Sequence, residues 1–504
     1  MDIRIQHGEA FDQPCDLLVV SMLKGATRPA GALAGINTKL EGGLLKLIQE
    51  DKFQGRLGEW LIFPTLGKAP ARKIAVIGLG DKNIFDVDSA RKIGAWIARR
   101  ARDAASPRVV TVLHGADLVG LPARDLAQAI SEGALLGSYH FHTYKEQEGK
   151  DAKEKALKEF VICEKSRSRV APAERGLEVG QALAAATILA RDLVNTPSAE
   201  MTPLHLSHVA NDIVARRKDV TIKILDQESM EKLGMRAALA VARGSIHPPV
   251  GVHLTYKPKG KTKKRIVIIG KAVTFDSGGL SIKPADGMMT MKVDMAGAAS
   301  VLGLFDVLPQ LHLPLEVHGI FLGVENMPSG NAYRPGDVVK AMNGKTIEVL
   351  NTDAEGRVTL ADALSYAQAI DADAVIDLAT LTGACVVALG EDMAAVLSND
   401  RKLTQRLLDA SHEAGEPLWE LPLYAPYQDH IKSKIADLKN IGMRGAAGTI
   451  SAALFLSHFA GKSPWAHLDI AGPSYTERET RPDLPYGGTG YGVRLLARYL
   501  QGLA

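Results

Sequence analysis

Cysteine is scarce in this sequence. Its 504 residues include three, Cys15, Cys163 and Cys385, far apart and odd in number. That excludes a disulfide framework and a cysteine-based zinc knuckle, and makes a reducing compartment, the cytoplasm, the expected location. An excess of charge of one sign is also missing: 60 Lys and Arg oppose 57 Asp and Glu, a net charge of +3. Over this length that is too little to imply a nucleic-acid or membrane partner. The densest basic run, Lys257, Lys259, Lys261, Lys263, Lys264 and Arg265, is broken by Pro258 and Gly260 and reads as a solvated hairpin or loop. Long hydrophobic runs are absent too. The start, MDIRIQHGEA, has no basic segment leading into an apolar one, and LATLTGACVVALG at 378–390 is too short and too polar to span a bilayer.

What is present is an average globular composition, 46% hydrophobic and 23% charged. A chain this long is expected to divide into two cores. Short β-branched runs alternate with helical patterns from the start: DLLVV at 16–20, KIAVIGLG at 73–80, a helix over 87–105, and VVTVL at 109–113. Between about 144 and 170 the composition turns charge-rich, which reads as a surface segment near a boundary. A long helical pattern over 174–195 follows, stopped by Pro197. The second half alternates again, with strands at 220–225, 265–270, 315–324 and 374–381 and helices near 295–308 and 358–370. Asn343-Gly344 marks a hairpin. The expected architecture is two α/β domains: a smaller N-terminal one over 1–166, a connecting helix over 167–196, and a larger catalytic one over 197–504 built around a mostly parallel sheet.

Three motifs fall short. GLGDKN at 78–83 lacks the third glycine of a dinucleotide loop, NGKT at 343–346 has Val339 where a phosphate loop begins with glycine, and HEAGE at 412–416 has Glu416 in place of the second zinc-binding histidine.

One constellation remains. GKAVTFDSGGLSIKPADG at 270–287 follows a strand and is succeeded by MKVDMAGAA at 291–299; further on comes NTDAEGR at 351–357. Each acid has a bland role available: Asp294 as a helix N-cap, Asp353 and Glu355 as first-turn acids. Four carboxylates (Asp276, Asp294, Asp353, Glu355) with three cations (Lys271, Lys283, Arg357) at strand ends point further. Residues i and i+2 of an extended segment face one way, so Asp353 and Glu355 can share a ligand. Two divalent cations would neutralise four acids, and a pair roughly 3.5 to 4 Å apart is a common hydrolytic arrangement. Oxygen-rich ligation suits Mn²⁺, Mg²⁺ or Zn²⁺. Lys271 could ligate only as the neutral amine, and Lys283 and Arg357 suit an oxyanion or a small anion; all three could instead simply pair with the acids.

These segments, with YRPGDVV, RDLVNTPSAEMTP at 191–203, LATLTGA at 378–384 and WAHLDIAG at 465–472, closely resemble the leucyl aminopeptidase family, the cytosolic M17 metallopeptidases. The likeness is strong over roughly the last 310 residues. It implies that Lys271, Asp276, Asp294 and Glu355 bind one metal and Asp276, Asp353 and Glu355 the other. It also implies that Lys283 is the catalytic lysine and that Arg357 anchors a bicarbonate acting as general base. Metal hydroxide would attack the first peptide bond of peptides with a free N-terminus, leucine and other apolar residues preferred, and Met291, Thr380, Leu381 and Gly383 would line the pocket for the first side chain. A homohexamer, a dimer of trimers, is the implied assembly. Where the family usually has glycine this chain has Ala272, a strain if the backbone there has positive φ. Two other readings are a DNA-binding role, as in some bacterial relatives, and a dinuclear phosphoesterase, which would need histidine ligands that the site segments lack.

Overall fold

The computed structural model describes residues 1–146 and 156–504, and these form two compact units. One comprises Met1–Ala185 and Arg478–Pro485, the other Ala186–Glu477 and Tyr486–Ala504. The boundary at 185/186 falls inside a single helix, Arg167–Asn195.

The first unit holds a six-stranded sheet of β1 (Asp2–His7), β2 (Cys15–Met22), β3 (Trp60–Pro64), β4 (Ala71–Gly78), β5 (Arg108–Val112) and β6 (Glu159–Glu164) in the order β1-β6-β5-β2-β4-β3. Only β3 is antiparallel to its neighbour. Alternate residues of β2 serve opposite cores: Leu17 and Val19 join Ile97 and Ile130 on one face, Leu18 and Val20 join Leu33 and Ile48 on the other. That two-sided burial is why DLLVV reads as an unbroken apolar run. Two strands depart from the sequence reading. β1 was not anticipated in the polar start. β6, EFVICE, lies inside the stretch read as surface, yet it is buried between β1 and β5; its lysine-rich flanks dilute a six-residue apolar signal. Part of that charge-rich stretch, 147–155, lies outside the described residues.

The second unit carries an eight-stranded sheet. Its strands are β7 (Val220–Leu225), β8 (Val250–Tyr256), β9 (Lys264–Asp276), β10 (Leu315–Asn326), β13 (Ala374–Ala379), β14 (Ala394–Ser398), β15 (Leu418–Glu420) and β17 (Trp465–Asp469). The order is β15-β14-β17-β13-β9-β10-β8-β7, and the central β17, β13, β9 and β10 run parallel. A small sheet joins β11 (Val338–Lys340), β12 (Thr346–Glu348) and β16 (Leu438–Lys439). β11 and β12 form the hairpin expected at Asn343-Gly344, with Gly344 at φ 91°. The basic run is a loop over 257–263 that leads into β9 at Lys264 and Arg265, and not a hairpin, because β8 pairs with β7 and β10 while β9 pairs with β10 and β13. Among the described residues no helix is long and apolar enough to cross a membrane.

One buried acid ties this unit together away from its strand ends. Asp362, in the helix Glu355–Ala367, accepts the N–H of Ala238 at 2.8 Å and of Met342 at 2.7 Å. It is fully enclosed. Asp362→Leu strands one buried and one part-buried donor, and at about 1–3 kcal/mol for each unsatisfied group, the part-buried one at the low end, it is expected to destabilise the protein by about 2–4 kcal/mol, read from urea unfolding; a loss below about 0.5 kcal/mol would show that these donors find other partners.

Candidate metal centre

Two bare-backbone contacts set the frame. A Cβ on Gly270 of β9 would lie 2.4 Å from the carbonyl carbon of Gly297, and a Cβ on Gly297 would lie 2.2 Å from the carbonyl oxygen of Leu378 on β13. Glycine alone permits the helix Ala296–Leu311 to press this close onto two strands, which brings the short turn Met291–Met295, and so Asp294, beside Lys271. After β9 ends at Asp276 the chain reverses through Gly278 (φ 85°) and Gly279 (φ 61°). The Lys283 N–H donates to the Ser277 carbonyl at 2.9 Å, returning Lys283 to the strand end. Asp353 sits in a turn and Glu355 is the first residue of the helix Glu355–Ala367. The pair therefore does not occupy an extended segment as the i, i+2 reading supposed; a turn running into a helix brings them together.

The acids converge. Oxygens of Asp276, Asp353 and Glu355 all lie within 4.8 Å of one another. Lys271 Nζ bridges Asp294 at 2.6 Å and Glu355 at 2.7 Å, and donates to the Thr380 carbonyl at 3.0 Å. Lys283 Nζ contacts Asp276 at 2.8 Å and, closer still, Asp353. Asp294 is not a helix cap: the residue entering the helix is Met295, and no side chain caps it. Glu355 does lie in the first turn of its helix, as that reading had it, while Asp353 precedes Ala354, the residue that enters the helix.

Electrostatics follow from burial. Lys271, Asp276, Asp294 and Glu355 are each at most 3% exposed, which penalises every charged form. Burial, with Asp276 close by, lifts Glu355 well above the carboxylate range and Asp294 to about 6 against the pull of Lys271. Burial raises Asp353 too. Burial works against the charge of both lysines as well, but the acids around them hold both above the ordinary amine range.

Arg357 is buried, and burial lowers its pKa to about 10. Its Nη1 donates to the Asn440 carbonyl at 3.0 Å, and its Nε has no hydrogen-bond partner among the described residues. Thr380 reaches the centre directly: its hydroxyl donates to Asp294 Oδ1 at 2.7 Å. Leu381 is partly buried and Gly383 exposed just beyond it, and Met291, partly exposed, opens the turn that holds Asp294. Ala272 lies within β9 opposite Gly323, 1% exposed, and is not among the residues with positive φ. The strain its substitution for glycine would bring does not arise.

A supporting layer escaped the sequence reading. Asn326, at the end of β10, donates to Asp276 Oδ1 at 2.8 Å and to the Thr352 carbonyl at 3.0 Å. Tyr333 donates to that carbonyl at 2.8 Å. Asn440 accepts from Arg357 and from the N–H of Leu350. Each is a single polar residue in an apolar or loop segment, and only the abrupt Glu325-Asn326 end to the run LEVHGIFLGV hinted at one of them.

The donor set fits divalent cations. It offers carboxylate oxygens and one amine, and Asp294 Oδ2 is buried with no hydrogen-bond partner among the described residues, an arrangement that is costly unless a positive ligand occupies it. The acids outnumber the ammonium groups that touch them.

Comparison with known proteins agrees with this chemistry. The sequence model of the cytosol aminopeptidase family, catalytic domain, matches residues 188–497, and that of the family's N-terminal domain matches residues 19–148. A probable cytosol aminopeptidase of Persephonella marina is 42% identical over 501 residues, covering 99% of both chains. One from Geobacter sulfurreducens is also 42% identical over 501 residues, again 99% of both. Among solved structures, the bottromycin maturation enzyme BotP in complex with Mn is similar at TM-score 0.85 and 36% identity, covering 97% of this chain and 99% of its own. A mutant of tomato leucine aminopeptidase is similar at TM-score 0.88 and 33% identity, covering 100% and 96%.

Removing one member of a buried ion cluster leaves its partners uncompensated. Lys271→Met is therefore expected to cost about 3 kcal/mol in urea unfolding with chelator present, somewhat less than a fixed pair would because Glu355 can take up a proton. A variant as stable as the parent would mean that Lys271 is not the counter-charge of Asp294 and Glu355.

Proposed function

The chain belongs to the cytosol aminopeptidase family and is a metallo-exopeptidase, and from that membership and the carboxylate cluster we propose that it is a two-metal aminopeptidase releasing leucine and other apolar residues from peptide N-termini. The observation that carries the reading is the convergence of Asp276, Asp353 and Glu355 oxygens within 4.8 Å, with Asp294 reaching the same centre through Lys271. Asp276, Asp294, Glu355 and Lys271 would hold one ion, and Asp276, Asp353 and Glu355 the second. When bound, two divalent ions supply Lewis acidity toward the peptide carbonyl and lower the pKa of a water. Mn²⁺ is the favoured identity, by analogy with the manganese-bound BotP, with Zn²⁺ or Mg²⁺ as the alternatives.

The chain's own groups then divide the work. Lys283 is held at the cluster's edge by Asp276 and Asp353, and its ammonium stays charged to stabilise the oxyanion of the tetrahedral intermediate. Arg357 would hold a bicarbonate along its free Nε edge, with Asn440 fixing the other side of the guanidinium. The loop carrying Thr380, Leu381 and Gly383, with Met291 opposite in chain order, would bound the first side chain. Assembly as a homohexamer and a cytoplasmic location are proposed from family likeness. The DNA-binding reading has no support from the family match or from the relatives and structures named above.

Chelator treatment is expected to abolish hydrolysis of leucine amide, and added Mn²⁺ to restore it. Asp353→Asn and Glu355→Gln should each lower kcat/KM at least about 1,000-fold, a loss of about 4 kcal/mol of transition-state stabilisation, with circular dichroism unchanged. Near-parental rates in either variant would remove that residue from the centre.

A further inference from the structure

Thr380 makes two contacts with the centre, and the loop that carries it is itself held by a carboxylate from another strand. Asp469 ends β17, paired with Ala379 at the end of β13, and is fully buried. Its Oδ1 accepts the N–H of Leu381 at 3.2 Å, of Thr382 at 3.3 Å and of Ala471 at 3.3 Å. Its Oδ2 accepts the Thr382 hydroxyl at 2.5 Å. A hydroxyl has one proton and two lone pairs. With its proton given to Asp469, Thr382 Oγ1 accepts the Cys385 N–H at 3.1 Å and, by elimination, the hydroxyl proton of Thr449 at 2.8 Å. His467, two residues before Asp469, is committed to Asp377 at 2.6 Å.

We infer that Asp469 and Thr382 are a positioning pair for the metal centre: they lock residues 380–382 so that Thr380 claims Asp294 Oδ1 and turns Oδ2 toward the ion. The inference rests on the two-metal reading. Its basis is the division of labour at Asp294. Oδ1 is taken by the Thr380 hydroxyl and by Lys271, while Oδ2 has no hydrogen-bond partner among the described residues. Thr380 also offers its carbonyl to Lys271, so one residue orients both a carboxylate and the amine beside it. If residues 381 and 382 slipped, both contacts would go together. Simple capping of the helix Gly383–Leu389 would need the Thr382 hydroxyl alone. Here three of the four groups bonded to the buried acid lie in residues 381–382, adjoining Thr380.

The test is calorimetric titration of Mn²⁺ into the chelator-treated full-length protein, with thermal melts alongside. Partners that orient metal ligands typically govern affinity by about 10- to 100-fold, so Asp469→Asn and Thr382→Val should bind Mn²⁺ weaker by that factor. Thr382→Ser, which keeps the hydroxyl, should bind like the parent. Thr382→Val with parental affinity overturns the inference. If Asp469→Asn does not fold, the two Thr382 variants decide; if Thr382→Val does not fold either, the hydroxyl is a folding element and the inference falls. A parent protein that takes up no Mn²⁺ would instead bring down the two-metal reading itself.

Discussion

Four carboxylates brought into one cluster, three of them buried, repel one another, and the architecture of the second unit can be read as the management of that repulsion. At an effective dielectric of 20, two like charges 4 Å apart cost about 4 kcal/mol. Asp276, Asp294 and Glu355 are almost completely buried, so water offers little relief. The Lys271 and Lys283 ammonium groups cancel half the charge, each placed between two acids. Burial first, and the uncancelled charge with it, raises proton affinity, well above the carboxylate range at Glu355, which faces Asp276 and Asp294 together.

Such a cluster holds its shape only if each oxygen has an assigned task. Asp276 Oδ1 receives the Gly278 N–H and Asn326 Nδ2, while Oδ2 faces Lys283. Asp294 Oδ1 receives Thr380 and Lys271. The supporting donors come from β10, from the turn after β9 and from the loop after β13, strands that are neighbours only because β9 lies between β13 and β10. Sheet order is therefore part of the chemistry: it decides which polar side chain can reach which carboxylate.

That dependence explains what could be read from the sequence and what could not. The acids and cations announce themselves because charged residues at the ends of apolar runs violate the local pattern, and Asp276, Lys283, Asp353 and Glu355 each do so. β10, the first half of β9, the helix Ala296–Leu311 and the hairpin at Asn343-Gly344 are legible from period and turn chemistry alone; the second half of β9 is not, for the strand read at 265–270 runs on to Asp276 and holds Lys271 within it. β6 was hidden because its six residues are flanked by lysines and glutamates, and β1 because DIRIQH carries polar residues along its whole length. The supporting layer was illegible for a different reason. Asn326, Asn440, Thr382 and Asp469 are unremarkable one at a time, and they acquire meaning only through partners from 26 to 89 positions away in the chain. The Asp353 and Glu355 geometry was misjudged on the same ground: spacing constrains direction only once the backbone conformation is known, and this backbone turns.

The close glycine contacts complete the logic. Gly270, Gly297 and Gly356 each face an atom nearer than any Cβ allows, and for Gly356 that atom is Cε of Lys271, 2.5 Å from where the Cβ would sit. Gly356 lies between Glu355 and Arg357, so the first turn of its helix is packed against the very amine that pairs with Glu355. At Gly270 and Gly297 the packing is backbone against backbone, with no soft side chain there to absorb displacement, and this helps to hold the elements that carry the acids in place. Under the proposed two-metal reading, repulsion among the acids would supply the affinity for cations, and this frame would keep the acids from relieving it by moving apart. A looser frame with the same residues would relax into ordinary surface salt bridges and lose the demand for a metal.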